Sequence, residues 1–468
     1  MTVYIKKEQN AYAVIAREKA PAAATQDMFY GNPSKASGLA VAVPGDLRGM
    51  WSVYKRWGKL PWEMLVKPTL EFCKYGYPLS IQHKIIRPIN VQFPNYHYKY
   101  KIIIYYCYLK NKKKDFLYPG KALCNTLKII SEKGGDELYN GALATDFLED
   151  LKSAGSIISA EDLQNYQAEI TKPISVPLTN GDVLYVPPPP SSGIILANIL
   201  NIMRGYNFTS ESINGTENKI LTYHRFVEAF KFAMGARTKL GDPNFVAKLV
   251  NPEYGEQIRL KINDTMTSNS TEYYGVTEYL KSDSGTAHIS IIAPNGDAVS
   301  VTSSLNCQFG AQFSTLKTGI VMNNVMDDFS SAGITNQYNV EPSKTNLIAP
   351  GKRPFSSMSP SIIVDKDGNV KMVIGASGGT RIVTSIALVV MRKLWFGQTL
   401  KKAMDEARFH HQLLPMRVMY EYGFQSKGHG IQRYPVFRTS TVCALYRNES
   451  SIFGNADFRK GGDVYGID

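Results

Sequence analysis

Thr286 stands where a polar stretch, Lys281-Ser282-Asp283-Ser284-Gly285, gives way to the alternating segment Thr-Ala-His-Ile-Ser-Ile-Ile. A threonine hydroxyl is a weak nucleophile unless a base takes its proton. A threonine that begins a chain carries its own base, an α-amine with a reference pKa of about 8. That chemistry requires cleavage of the bond before Thr286. Gly285 suits it, having no Cβ to obstruct attack and tolerating unusual backbone angles. The pair also fits an ordinary loop-to-strand junction, since threonine is common in strands.

A nucleophile of this kind needs partners. In "GASGGT" (375–380) a strand gives way to an apolar helix, and the N–H groups of Gly378 and Gly379 would point out of the helix start towards an oxyanion. A plain strand–helix turn reads the same way. "RPFSSMSP" carries the hydroxyls of Ser356 and Ser357, which suit a carboxylate. "MDDF" carries Asp327 and Asp328, which suit an ammonium group. Arg17 in "IAREKAP" suits a bidentate carboxylate contact.

Other chemistries lack their patterns. There is no HExxH, no GxSxG and no GxxxxGK[ST]. His224, His410 and His411 read as helix-surface or core residues. Cys73, Cys107, Cys124, Cys307 and Cys443 form no CxxC pair, which disfavours zinc. They are too few and scattered for a disulfide framework, and the odd count leaves at least one thiol unpaired within the chain.

The chain has 468 residues, 44% hydrophobic and 20% charged, as globular proteins do. Its 53 basic and 40 acidic residues give a net charge of +13, which favours anionic partners by steering. The basic residues are scattered, without zinc-finger or helix-turn-helix spacing, so nucleic acid is not an expected partner. No apolar run reaches the roughly 18–20 residues of a membrane span. Met1 is followed by Thr-Val-Tyr-Ile-Lys-Lys, which is not a signal peptide. As written, the chain would stay in the cytosol. Five glycosylation sequons, at Asn207, Asn214, Asn263, Asn269 and Asn448, point instead to a secretory origin and to a targeting segment upstream of Met1.

The elements that must position these groups are also legible. Asn180-Gly181, Asn295-Gly296 and Asp367-Gly368 each separate two short, β-branched, alternating runs, as tight hairpins require. "GIILANILNIMRG" reads as a buried helix. "NKILTYHRFVEAFKFAMGARTKLGD" reads as an amphipathic one, with Leu221, Phe226, Phe230 and Met234 on one face. "TRIVTSIALVVMRKLWFG" is a third, strongly apolar helix. The pattern predicts antiparallel sheets covered by helices in a layered sandwich. Residues 91–115, rich in Tyr, Ile and Lys, break the pattern and read as an insertion or a coding error.

In order along the chain, "AREKAP", "GLAVAVPGDLRG", "KLPWEMLVKPTLEFCKYGYPLS", "LYNGALATDFLEDLKSAG", "GTAHISIIAPNGDAVSVTSSLN", "MDDFSS", "GKRPFSSMSP", "GASGGTRI" and "DFRKGG" resemble the gamma-glutamyltransferase (glutathione hydrolase) family. The resemblance covers roughly residues 10–90 and 116–468 and is nearest to animal, membrane-anchored members. It implies an α+β fold, a four-layer αββα sandwich of the N-terminal nucleophile hydrolase type. It implies a proenzyme cut before Thr286, with residues 1–285 as the large subunit and 286–468 as the small one, together forming one sandwich domain. Thr286 would take the γ-glutamyl group of glutathione or its conjugates and pass it to water, an amino acid or a dipeptide. No metal or organic cofactor is implied.

By the same resemblance Arg17, with Ser356 and Ser357, would grip the α-carboxylate and Asp328 the α-ammonium. Gly378 and Gly379 would form the oxyanion hole, and Asn306 would contact substrate. Ser304, where the family usually has threonine, would support the nucleophile. Val325 occupies a position of glutamate or glutamine in the family, and loss of that ligand implies glutamyl binding weaker by ~30-fold or more, offset in part by Asp328. The implied location is the extracellular face of the plasma membrane. Two alternatives accompany this reading: a catalytically impaired member with a binding or structural role, and another N-terminal-threonine amidase such as an acylase.

Overall fold

The computed structural model describes residues 1–30, 37–78, 116–117, 119–276, 278–279, 285–331, 341–422, 424, 428–434 and 440–466. The stretch 91–115 lies outside the described residues. Each of the three Asn-Gly or Asp-Gly pairs turns a hairpin. Asn180 and Gly181 have φ of 61° and 77°, Gly296 has 87° and Gly368 has 73°, values that suit glycine and asparagine.

In chain order the principal strands are β1 (Thr2–Ile5), β2 (Asn10–Ile15), β3 (Glu169–Thr171), β4 (Ile174–Pro177), β5 (Val183–Val186), β6 (Thr286–Ile292), β7 (Ala298–Ser304), β8 (Ser361–Val364), β9 (Val370–Ser377), β10 (Thr441–Arg447) and β11 (Ile452–Ala456). They form a five-stranded sheet, β3-β2-β1-β7-β6, and a six-stranded sheet, β11-β10-β9-β8-β5-β4. All pairings within the two sheets are antiparallel. The sheets stack face to face. Tyr4, Ala11 and Ala298 of the first meet Ile362, Val364, Val370 and Val373 of the second.

The principal helices are α1 (Asp46–Trp57), α2 (Lys121–Lys133), α3 (Ala142–Ser153), α4 (Gly193–Arg204), α5 (Thr216–Arg237) and α6 (Arg381–Leu394). The largest core packs α4, α5 and α6 on the outer face of the six-stranded sheet. A second cluster, with Ile130, Leu143, Phe147 and Leu151, unites α2 and α3 with Leu47 of α1, and α1 in turn contacts β2 of the five-stranded sheet. The architecture is a four-layer αββα sandwich.

One expectation needs correction. Helix α5 is not amphipathic: nearly every residue from Thr222 to Arg237 is buried, while Leu221 is only partly so. From Thr222 onward it runs between α4 and the 263–276 segment, which cover its polar as well as its apolar side. Its interior charges are satisfied locally: Lys231 Nζ lies 3.1 Å from Glu228 Oε1, and the Tyr274 hydroxyl donates to Glu228 Oε2 at 2.9 Å. His224, His410 and His411 are core residues, none above 4% exposed. The cysteines do include a disulfide, Cys73–Cys124, which ties the helix Trp62–Tyr75 to α2.

Among the described residues no helix is long and apolar enough to cross a membrane.

Candidate active site

Thr286 is the first residue of β6 and is 5% exposed. Antiparallel pairing places it directly opposite Ser304, the last residue of β7. The two side chains therefore fall on the same face. The Thr286 hydroxyl donates to Ser304 Oγ at 3.5 Å, and the Ser304 hydroxyl donates to the Gly285 carbonyl oxygen at 3.4 Å. The Asn306 N–H donates to Ser304 Oγ at 2.9 Å and fixes that side chain. A serine thus stands between the candidate nucleophile and the carbonyl it must attack.

Gly285 has φ of 91°, and a Cβ there would lie 2.5 Å from the Asn306 carbonyl oxygen and 2.7 Å from the Cys307 carbonyl. Glycine is required by both backbone angle and space. Asn306 is itself left-handed, at φ 73°. Its Nδ2 donates to the Asn324 carbonyl at 3.2 Å, and the Cys307 N–H donates to Asn324 Oδ1 at 3.0 Å.

Gly378 and Gly379 lie between the end of β9 and the start of α6, with φ of 122° and 64°. A Cβ on Gly378 would meet Ser440 Cα at 2.6 Å. The loop is linked to the nucleophile by a residue with no assigned role in the sequence reading. Lys460 Nζ donates to the Thr286 carbonyl at 3.1 Å and to Ser377 Oγ at 2.8 Å. Burial lowers the Lys460 pKa. The signal for Lys460 was the "DFRKGG" text. Its chemistry was not legible, because 174 residues separate it from Thr286. A buried ion-pair network in the same motif holds it in place: Arg459 contacts Glu421 and Asp457, and Arg408 contacts Asp457.

Arg17 follows β2 and is 6% exposed. Its guanidinium pairs with Asp328, lies 3.3 Å from Glu18 Oε2, and donates through Nε to the Pro354 carbonyl at 3.4 Å. Glu18 is pushed up to about 7 by burial, against the opposing pull of Arg17. Arg17, Glu18, Ser304 and Ser356 line one cavity. Ser357, next in the chain and fully buried, accepts from Arg237 at the C-terminal end of α5 at 3.0 Å. Asp328 ends a 3-10 turn, Val325–Asp328. Val325 is fully buried in an apolar cluster with Ala20, Ala24, Ala42, Phe329 and Ile348, and presents no polar group. Asp327, on the same turn, is half-buried.

Arg17, Asp328, Ser356, Ser304, Thr286 and Asn306 therefore belong to one connected region, with Gly378 and Gly379 joined through Ser377 and Lys460. Among the described residues, no group of three or more His, Cys, Asp or Glu side chains is arranged to hold a metal ion.

An αββα sandwich in which a threonine opens the edge strand β6 of the five-stranded sheet has the architecture of an N-terminal nucleophile hydrolase. The chain matches the Gamma-glutamyltranspeptidase family over residues 1–467 and belongs to that family. It is 41% identical to Scoloptoxin SSD14 of Scolopendra dehaani, covering 100% of this chain and 83% of that protein. It is 34% identical to glutathione hydrolase proenzyme 1 of Schizosaccharomyces pombe, covering 96% and 74%. The fold superimposes on the cephalosporin acylase of Bacillus halodurans with a TM-score of 0.82 at 21% identity, covering 100% of this chain and 86% of that one.

Proposed function

We propose that this protein is a γ-glutamyl hydrolase and transpeptidase that cuts itself before Thr286 and then uses Thr286 as nucleophile. The carrying observation is the Thr286–Ser304–Gly285 arrangement. In the uncut chain, Thr286 Oγ1 attacks the Gly285 carbonyl carbon. The Ser304 O–H stabilises the developing oxyanion on Gly285, and the Thr286 hydroxyl proton passes to the Thr286 nitrogen, which leaves as the amine when the C–N bond breaks. The peptide bond becomes an ester, water hydrolyses it, and Thr286 gains a free α-amine. Residues 1–285 and 286–468 become the two subunits of one sandwich.

In the mature enzyme that amine is the base. The α-carboxylate of the substrate lies against Arg17, with Ser356 and Ser357, and the ammonium against Asp328. Asn306 holds the acyl chain. The N–H groups of Gly378 and Gly379 take the oxyanion, and Lys460 keeps their loop against Thr286. The glutamyl ester is then transferred to water or to the amine of an amino acid or dipeptide. Glutathione is the expected donor, consistent with relatives named glutathione hydrolases. The impaired-member alternative is not favoured, since nucleophile, clamp and loop form one connected region.

The protein acts on the extracellular side of the plasma membrane as a glycoprotein. All five sequon asparagines are exposed, which supports this location. Asn207 and Asn214 precede α5, whose other end holds Ser357. At 1.5 Å per residue that helix keeps carbohydrate ~30 Å from the site.

The test is intact mass and N-terminal sequencing after incubation, followed by turnover of γ-glutamyl p-nitroanilide and glutathione. A new chain beginning Thr-Ala-His-Ile, and turnover abolished by Thr286→Ala, is the expected result. An uncut chain without turnover overturns the proposal.

A further inference from the structure

Asn324 occupies the junction between the two halves of the site. It is 1% exposed. Its N–H donates to the Leu305 carbonyl at 3.1 Å, its carbonyl accepts from Asn306 Nδ2, and its Oδ1 accepts from the Cys307 N–H. These three bonds clasp the 305–307 turn, in which Asn306 holds Ser304 and so the Thr286 hydroxyl. The Asn324 carbonyl also accepts from the Asp327 N–H at 3.1 Å, which starts the turn that ends at Asp328. The Asp328 end is fixed separately, because Asn346 Nδ2 donates to its carbonyl at 2.8 Å. One side chain and its backbone thus join the nucleophile to the ammonium site.

A second observation is independent of these bonds. Asn324 Nδ2 is buried and has no hydrogen-bond partner among the described residues. Buried amide donors are almost always paired. The Cys307 N–H fixes the oxygen of the carboxamide, so the amide cannot be turned round to relieve the nitrogen. The carboxamide is therefore held in one orientation by its oxygen even though its nitrogen stays unpaired among the described residues.

We propose that Asn324 is the positioning residue that sets the separation between Thr286 and Asp328, and with it the length of acyl chain the enzyme accepts. The inference rests on the glutamyl reading given above. A substrate must place its acyl carbon at Thr286 Oγ1 and its α-ammonium at Asp328 at once. The distance between them is fixed by the number of methylenes. A rigid clasp selects the γ-glutamyl group over β-aspartyl, one methylene shorter, and δ-(α-aminoadipyl), one longer.

The experiment compares kcat/KM for the p-nitroanilides of these three acyl groups in processed wild type, Asn324→Ala, Asn324→Leu and Asn324→Asp. Leucine removes the carboxamide at near-constant volume, and so decides the question where alanine fails to fold. Aspartate keeps the acceptor for the Cys307 N–H. We expect alanine or leucine to narrow the γ-glutamyl preference at least tenfold over either homologue, and aspartate to retain it within threefold. Narrowing by less than threefold in the folded variant, or an equal loss in aspartate, overturns the inference. A wild type that turns over γ-glutamyl p-nitroanilide while the variants keep its preference defeats this inference alone. A processed wild type inert to all three amides defeats the glutamyl reading and the inference with it.

Discussion

Arg17 and Asp328, separated by 311 positions, are joined by a buried ion pair with both side chains under a tenth exposed. In the proposed complex, a substrate α-carboxylate faces Arg17 and an α-ammonium faces Asp328. The zwitterion of an amino acid inserts between two charges that otherwise satisfy each other. Neither buried charge is left unpaired when substrate departs, which would be costly.

Asp328→Asn removes the charge while keeping the shape. The expected result is a rise in KM for γ-glutamyl p-nitroanilide of ~30-fold or more, from loss of one buried partner of the ammonium. Self-cleavage involves no ammonium and is expected to proceed within threefold of the wild-type rate. Steady-state kinetics and a gel time course measure the two. An unchanged KM would remove Asp328 from the substrate site.

Gly285→Ala places a Cβ 2.5 Å from the Asn306 carbonyl oxygen at a φ of 91°. The scissile carbonyl must then shift from Ser304. We expect self-cleavage to slow by at least ~10-fold, since displacement of a reacting group by about an ångström is worth that or more. The uncut 52.1 kDa chain is expected to accumulate on a denaturing gel. Cleavage at the wild-type rate would contradict the assigned role of this glycine.

Lys460→Met keeps most of the side-chain volume but loses both hydrogen bonds to Thr286 and Ser377. The lysine touches the loop and the nucleophile backbone, not the acyl clamp. A fall in kcat of roughly 10- to 100-fold is expected, as for loss of one oriented element of an oxyanion site, with KM within threefold. A rise in KM with unchanged kcat would place Lys460 in substrate binding instead.

Glu18 carries a pH signature. Its folded pKa is raised to about 7 by burial, above the ordinary value of 4.5. Between those two values the folded protein binds more protons than the unfolded chain, so this group's contribution to stability falls as pH rises. Below pH 4.5 the neutral acid carries no such penalty. Glu18→Gln is therefore expected to gain in melting temperature relative to wild type between pH 5 and pH 8. Thermal melts at the two pH values decide it: a difference that stays flat or shrinks would refute the assignment.

Much was legible in the sequence because it depends on short range. Asn295-Gly296 sets the β6–β7 hairpin, and that register alone puts Thr286 opposite Ser304. Positive φ at the Asn-Gly and Asp-Gly turns follows from local sterics, so all three hairpins could be read directly. The apolar runs of α4 and α6 identified core helices for the same reason. Arg17, Asp328, Ser356 and the Gly378-Gly379 pair were recognisable by motif, each at its own place along the chain.

What the sequence did not determine was which neighbours each group would meet. Periodicity assigned α5 one apolar face, whereas packing against α4 and the 263–276 segment buried the polar side as well. Glu228 and Lys231 look like surface residues until tertiary structure pairs them in the interior. Lys460 meets Thr286, Arg17 meets Asp328 and Cys73 meets Cys124 across 174, 311 and 51 positions. Local preference governs the backbone over a few residues. Contacts at such separations arise only when the two sheets stack and their helices close over them, and the tertiary structure alone decides them.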